Sequence, residues 1–357
     1  MLVVERAELA PALEAVRGGI SRTGPHATRH VLLDAQGMQL RIMSTNGSLQ
    51  LQTSLPVKSD VFALAAPAEL LEIVQRLHGP ITLDHKDNNL TVRANGTRLR
   101  LQCVDSAQFP EFPNSDTWQS AKVAASDFAR CLAFVEPATG SINDVRPFVH
   151  GVLLAFQEKS VTCVGTDTFK MGIASMAVSG LSGSVIVPAK VVVEIVRAIR
   201  MQKLENVVLS HTSGRIRADI GTVQITSSVI DATYPDWRRV LATVAPSATI
   251  VEVNREELIS AVSRVSLVAG KEPRVAIRFE PSKLTLEVVN GNQGAEEKLT
   301  AKCASSGEVS LNRHQVLVAA QAITSEQLRL RITGEKTVVL LAGDTRTAAY
   351  LLSPMNS

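Results

Sequence analysis

The stretch Val187-Pro188-Ala189-Lys190-Val191-Val192-Val193-Glu194-Ile195-Val196-Arg197-Ala198-Ile199 decides the reading of this chain, because the chain writes it three times. An earlier copy is Ala66-Pro67-Ala68-Glu69-Leu70-Leu71-Glu72-Ile73-Val74-Gln75-Arg76-Leu77. A looser later copy is Leu311-Asn312-Arg313-His314-Gln315-Val316-Leu317-Val318-Ala319-Ala320-Gln321-Ala322-Ile323. In each, a Pro or Asn leads through one or two small or charged residues into an amphipathic apolar run. Pro67 and Pro188 are 121 positions apart, Pro188 and Asn312 124. That period is too long for a solenoid unit and suits a whole small domain. The chain reads as three copies of one domain, 1–119, 120–243 and 244–357.

Other phrases repeat in step. Each third opens on a helical pattern, at 8–16, 126–135 and 254–262, with Leu9/Leu13/Val16, Phe128/Leu132/Val135 and Leu258/Ala261/Val262 on one apolar face. Ser126 and Asn254 are expected N-caps, the second with Glu257 in a capping box. Alternating stretches at 32–42, 152–164 and 275–288 predict strands with one buried face. Asn88-Asn89, Asn95-Gly96 and Ser213-Gly214 predict turns between later strands, and Ala348-Ala349-Tyr350-Leu351-Leu352 a last strand. Each third is helix, strands, helix, strands, an α+β domain.

Composition narrows the class. The 357 residues are 45% apolar but only 4% aromatic, so aliphatic side chains must fill the cores. No apolar run approaches a membrane span, and no basic-then-apolar leader opens the chain; a soluble cytoplasmic protein is expected. Cys103, Cys131, Cys163 and Cys303 have no paired spacing and read as reduced thiols. The net charge is +3, divided among the thirds as −1, +3 and +1. Tight nonspecific nucleic-acid binding needs a steeper balance, while weak local phosphate contact does not.

No catalytic constellation stands out. Gly270-Lys271 lacks the rest of a phosphate loop, and Gly291-Asn292-Gln293-Gly294 reads as a turn between strands. His150, His211 and His314 have no partner at metal-ligand spacing. No catalytic residue, metal or cofactor is expected. Basic residues do recur on the helices. Arg197, Arg200 and Lys203 share one face of a helix predicted over 191–203, and Arg17, Arg22, Arg76, Arg255, Arg264 and Lys271 lie on or near the others. Helices facing a common space would bring these together as a sequence-blind surface for a phosphate backbone. Two aromatic-proline phrases, Phe109-Pro110-Glu111-Phe112-Pro113 and Tyr234-Pro235-Asp236-Trp237-Arg238-Arg239-Val240, read as domain-closing turns that start linkers; the second, with an added aromatic and a double Arg, has the further reading of lining a partner groove.

With these phrases in order, joined by Arg146-Pro147-Phe148-Val149-His150-Gly151-Val152-Leu153-Leu154, Gly165-Thr166-Asp167 and the Tyr350–Met355 ending, the whole chain resembles the bacterial sliding clamp family, the beta subunit of DNA polymerase III. The resemblance implies three tandem clamp-type domains, each with two helices packed on antiparallel sheets. Two chains would close head to tail into a homodimeric ring, first third against last third. Such a ring encircles duplex DNA and tethers the replicative polymerase for processive synthesis. It implies DNA contact through Arg22, Arg76, Arg146, Phe148, Arg197, Arg200 and Lys203. Polymerase III subunits, a clamp loader and repair proteins would dock by short linear motifs. Carried over position by position, their pocket comprises Val149, Thr166, Lys170, Met171, Pro235, Arg239, Val240, Asn312, Leu351, Leu352, Pro354 and Met355. The chain departs from the family pattern at Thr168-Phe169-Lys170, where Gly-His-Arg is common, at Gln315 for an aromatic and at Ser353 for Met; Lys170 gives up Arg's planar fork of donors. Two other readings stay open: an interaction scaffold of the same fold with an altered pocket, and an enzyme with an unrecognised site.

Overall fold

The computed structural model describes residues 1–21, 23–57, 61–110, 112, 117–244, 247–334, 339–343 and 347–355. Its elements repeat three times. The first third runs β1 (Leu2–Glu5), α1 (Arg6–Val16), β2 (His30–Gln36), β3 (Gln39–Thr45), β4 (Leu49–Pro56), β5 (Phe62–Pro67), α2 (Glu69–Arg76), β6 (Pro80–Lys86), β7 (Asn89–Ala94), β8 (Thr97–Gln102) and a short β9 (Val104–Asp105). The second runs β10 (Gln119–Ala124), α3 (Ala125–Val135), β11 (Gly151–Gln157), β12 (Ser160–Thr166), β13 (Lys170–Ala177), β14 (Gly183–Pro188), α4 (Ala189–Gln202), β15 (Asn206–His211), β16 (Arg215–Ile220), β17 (Val223–Ser228) and a short α5 (Trp237–Ala242). The third runs β18 (Thr249–Asn254), α6 (Arg255–Val265), β19 (Arg274–Glu280), β20 (Lys283–Asn290), β21 (Gln293–Lys302), β22 (Gly307–Asn312), α7 (Arg313–Ala322), β23 (Gln327–Ile332), β24 (Val339–Ala342) and β25 (Ala348–Leu352).

By internal packing the chain forms two compact units, Met1–Ser126 with Glu194–Val229 and Asp127–Val193 with Ile230–Ser357. The first holds a four-stranded sheet, β1-β6-β7-β8, and a nine-stranded one, β10-β15-β16-β17-β4-β3-β2-β5-β9. The second holds twelve strands in the order β14-β11-β12-β13-β25-β24-β23-β18-β21-β20-β19-β22. Among the described residues every pairing is antiparallel, and two of them join consecutive repeats: β17 with β4, and β25 with β13.

Local chemistry explains most of these elements. Asn254 caps α6, its side chain accepting from the Glu257 N–H at 3.1 Å; Asn312 caps α7 from the His314 N–H. Asn95 and Gly96, both at positive φ, make the type I′ turn between β7 and β8. The neighbouring turn is Asp87-Asn88, with Asp87 at φ 53° and Asn89 already in β7. Ser126 is not the N-cap of its helix. α3 starts one residue earlier, and the Ala125 N–H is taken by the Glu205 carbonyl.

The expected single buried face holds for the third repeat, where β19 alternates, but not for β2 and β11, which are buried along six consecutive residues. The aromatic-proline phrases are the reason. Phe109 packs with Leu32, Met43 and Ala65 on the face of β2, β3 and β5. Trp237, with Tyr234, Val240 and Leu241 beside it, does the same over Leu153, Val164 and Ile186. These segments are covers over the sheet as well as connections. Glu111 and Pro113 of the first phrase lie outside the described residues.

Several helical cations serve the fold. Arg197 donates to the Glu14 and Ala15 carbonyls at 3.2 and 3.0 Å, and Ser44 donates to the Val16 carbonyl, so side chains satisfy the end of α1. Arg6 reaches the Gln75 carbonyl of α2, and Arg255 reaches Ala320 of α7. Arg264 is paired with Glu297.

Tyr350 ties β25 to α3: its hydroxyl donates to the Phe134 carbonyl at 2.6 Å, and its ring packs on Phe134 with centroids 5.0 Å apart. Tyr350 and Tyr234 are the only tyrosines of the chain. Burial pushes both phenol pKa values up. The folded state therefore resists losing a proton that the unfolded chain gives up near pH ~10. The stabilisation is complete below that pH and is lost as pH rises through and beyond it, at up to ~1.4 kcal/mol per pH unit for each tyrosine. Urea unfolding followed against pH should show this alkaline decline. Tyr350→Phe should cost about 1 kcal/mol at neutral pH through the lost hydrogen bond, yet shallow the decline; an unchanged slope would refute the assignment.

Candidate functional site

The β13–β25 pairing sets Met171 opposite Leu351 and Lys170 opposite Leu352. Side chains alternate along a strand, so Met171, Ile173 and Leu351 share a face with Leu153, Val164 and Ile186. Trp237 is seated on that floor, and Phe148, Tyr234, Val240, Leu241 and Val244 pack at its margin. The Tyr234 hydroxyl donates to the Val164 carbonyl at 3.1 Å, and Phe148 meets the Tyr234 ring edge-on at 5.8 Å. Asp236 caps α5 from the Arg238 N–H, and Arg238 lies 4.3 Å above the Trp237 ring. An apolar floor with aromatic and cationic margins is suited to a short peptide with a few aliphatic or aromatic anchors.

Met171, Leu351 and Val240 belong to this cluster. Pro235 and Arg239 are exposed on the strap that carries Trp237. Thr166 is buried; its hydroxyl donates to the Lys170 carbonyl and accepts from the Thr168 N–H. Lys170 is ion-paired with Asp167 at 2.6 Å. Pro354 and Met355 are half-buried, and the tail is laid down by Ser353 N–H to the Phe169 carbonyl and Met355 N–H to the Ser310 carbonyl, both 2.8 Å. Three expected residues do other work. Asn312 caps α7. Val149 is fully buried, its carbonyl accepting from the Gly140 N–H. Leu352 shares the face of Tyr350, on the helix side of the sheet, by strand alternation.

Phe148 and Arg146, expected on DNA, have partners within the chain. Phe148 packs on the apolar cluster. Arg146 chelates Asp144 at 2.9 and 2.8 Å and donates to the Thr168 hydroxyl at 2.7 Å. That pairing holds the Asp144 carboxyl far below the usual carboxylate range. Of the remaining cations, Arg76, Arg200 and Lys203 are exposed. Lys203 is beyond the end of α4 in a left-handed conformation, φ 48°, so it leaves the face that Arg200 occupies. Arg197 is directed into the end of α1. Arg22 lies outside the described residues.

The repeats show how the second face differs from its two equivalents. Strand registers equate Leu153, Ala155, Val164, Met171 and Ile173 with Leu32, Asp34, Met43, Gln50 and Gln52, and with Ala276, Arg278, Glu287, Gly294 and Glu296. In the first repeat, Asp34 is paired with Arg41, and Gln50 accepts from the Phe112 N–H of the chain's own connecting segment. In the third, Arg278 bridges Glu287 and Glu308. Only the second face is apolar throughout these positions. The signal available in the sequence was the set of Leu, Ala, Val, Met and Ile at alternating positions of the middle third.

The chain matches three family models in order: the N-terminal domain of the DNA polymerase III beta subunit over residues 1–113, its central domain over 122–236 and its C-terminal domain over 243–356. The beta sliding clamp of Pseudomonas putida is 26% identical over 368 residues, covering 99% of this chain and 98% of that protein. That of Caulobacter vibrioides is 26% identical over 372 residues, covering 99% of both. Among solved structures, the DNA polymerase III subunit beta from Pseudomonas aeruginosa superposes with a TM-score of 0.95 at 24% identity, covering 100% of both chains. A DnaN sliding clamp from Bartonella birtlesii bound to griselimycin gives 0.94 at 25% identity, covering 100% of this chain and 99% of that one. Three successive domain models and full-length relatives place the chain in the DNA polymerase III beta subunit family: it is a DNA sliding clamp.

Proposed function

We propose that two copies of this chain close head to tail into a ring around duplex DNA and hold the replicative polymerase there. The module boundaries proposed are 1–119, 120–243 and 244–357. The observation that carries the ring is a strand pairing left over from the repeat. β17 of the second repeat pairs with β4 of the first, and β25 of the third with β13 of the second. Their equivalents, β8 and β21, both offer edges: β8 ends its sheet, and β21 meets β18 only through Ala301 and Lys302. Edge strands are templates for another chain. Transferring the β17–β4 register sets Arg98 of one protomer opposite Glu296 of the next, and Thr97 opposite Glu297. Opposite charges across a strand pair favour that register.

A closed ring needs no tight grip, so the exposed Arg76, Arg200 and Lys203 suffice as weak phosphate contacts that permit sliding. Partners, among them polymerase III subunits, a clamp loader and repair proteins, insert a short motif over Met171, Leu351 and Val240, beside the Met355 tail. The ring works in the bacterial cytoplasm and leaves the chemistry of synthesis to the polymerase it holds.

Loaded ring should remain on nicked circular plasmid and be shed when the plasmid is linearised; loss from both alike would sink the topological reading and favour the scaffold. Arg98→Glu, or Glu296→Arg, should weaken the dimer about tenfold by sedimentation, and the two changes together should restore it. A double variant no better than the singles would reject the register. Met355→Ala should weaken binding of a labelled peptide copied from the polymerase C-terminus several-fold without altering the dimer. Identical titration curves for variant and wild type would remove the tail from the pocket.

A further inference from the structure

The turn between β12 and β13 carries an unusual backbone. Thr168 is at φ 78°, a left-handed conformation that is costly for a β-branched residue. The same turn occurs in the first repeat between β3 and β4, and there the position is Gly47, at φ 90°. The rest of the two turns matches bond for bond. Asn46 Oδ1 accepts from the Ser48 and Leu49 N–H groups; Asp167 Oδ1 accepts from those of Phe169 and Lys170. The Gly47 N–H donates to the Thr45 hydroxyl at 3.1 Å, and the Thr168 N–H to the Thr166 hydroxyl at 2.9 Å. The first repeat therefore makes this turn with glycine, and the second accepts a strained threonine in its place.

What threonine adds is a side-chain hydroxyl, and that hydroxyl accepts the 2.7 Å bond from Arg146 Nη1. Arg146 Nε and Nη2 are held by Asp144, so three bonds fix the guanidinium, and Nη1 and Nη2 each keep one further N–H. The fixed group stands two residues before Phe148, whose ring packs on the apolar floor. The same turn carries the Phe169 ring, 60% exposed, and its Phe169 carbonyl holds the Ser353 N–H of the tail. Strain that the surroundings over-determine points to function.

We propose that Thr168 is a positioning residue of the partner pocket: its hydroxyl holds the Arg146 guanidinium at the rim, where a carbonyl or carboxylate of the docking peptide meets it. This deepens the pocket reading above and rests on it. Three variants separate the hydroxyl from the backbone. Thr168→Gly recreates the first repeat's turn and removes both strain and hydroxyl. Thr168→Val keeps the branched shape without the hydroxyl. Thr168→Ser keeps the hydroxyl. Each full-length variant is titrated with the labelled polymerase C-terminal peptide, and its thermal unfolding is recorded. Thr168→Gly and Thr168→Val should bind about tenfold more weakly, the loss of one hydrogen bond to a charged group. Thr168→Ser should stay within about twofold of wild type, and the Tm of Thr168→Gly should not fall. Wild-type affinity in Thr168→Gly, or affinity losses that merely follow falling Tm, would overturn the proposal while leaving the pocket intact. A wild-type protein that never saturates with peptide would instead defeat the pocket, and this proposal with it.

Discussion

Main-chain pairing between repeats is the constraint on which the architecture depends. Each repeat has two long helices and two sets of strands, and the last strands of the second and third repeats find partners in the repeat before. β17 on β4 and β25 on β13 convert separate domains into continuous sheets. An antiparallel ladder satisfies backbone groups whatever the side chains, so the pairing survives wide divergence among the repeats. One third of the pattern is unspent within the chain, and a second copy is the natural partner for it.

On this common frame the side chains diverge. The equivalent outer faces of the three repeats are mixed, apolar and ionic in turn. Asp34 with Arg41 and the Gln50 contact close the first, Met171, Ile173 and Leu351 lie under Trp237 in the second, and the Arg278 network covers the third. The helices show a comparable division. Arg6, Arg197 and Arg255 saturate helix-end carbonyls, which leaves fewer cations for a polyanion than a count of basic residues suggests. A modest surplus of mobile charge suits a ring that must move along its track.

Periodicity made much of this legible in the sequence. The threefold phrase, the apolar helix faces and the Asn254 cap follow from local spacing, and the structure has each of them. Long-range pairing was not legible. That Phe109 and Trp237 lie over sheets instead of merely ending domains depends on where the chain returns, which no local pattern encodes. The resemblance places Phe148 and Arg146 on DNA; the fold packs Phe148 on the apolar floor and ties Arg146 to the β12–β13 turn, contacts that no local pattern encodes. Arg197, read as a phosphate contact on helical spacing, donates to carbonyls 182 and 183 positions away as well as to Glu194 on its own helix. The resemblance places both Leu351 and Leu352 in the pocket, but adjacent residues of a strand point to opposite faces.

The floor beneath Trp237 is assembled from residues that leave the ribosome at very different moments. Leu153 and Met171 emerge early, the Trp237 strap later, and Leu351 with Met355 later still. Multidomain chains fold domain by domain as they are synthesised, but this surface cannot exist until residue 355 has been translated. A chain translated only as far as Trp237 has no β25 to pair with β13 and lacks one wall of the cluster.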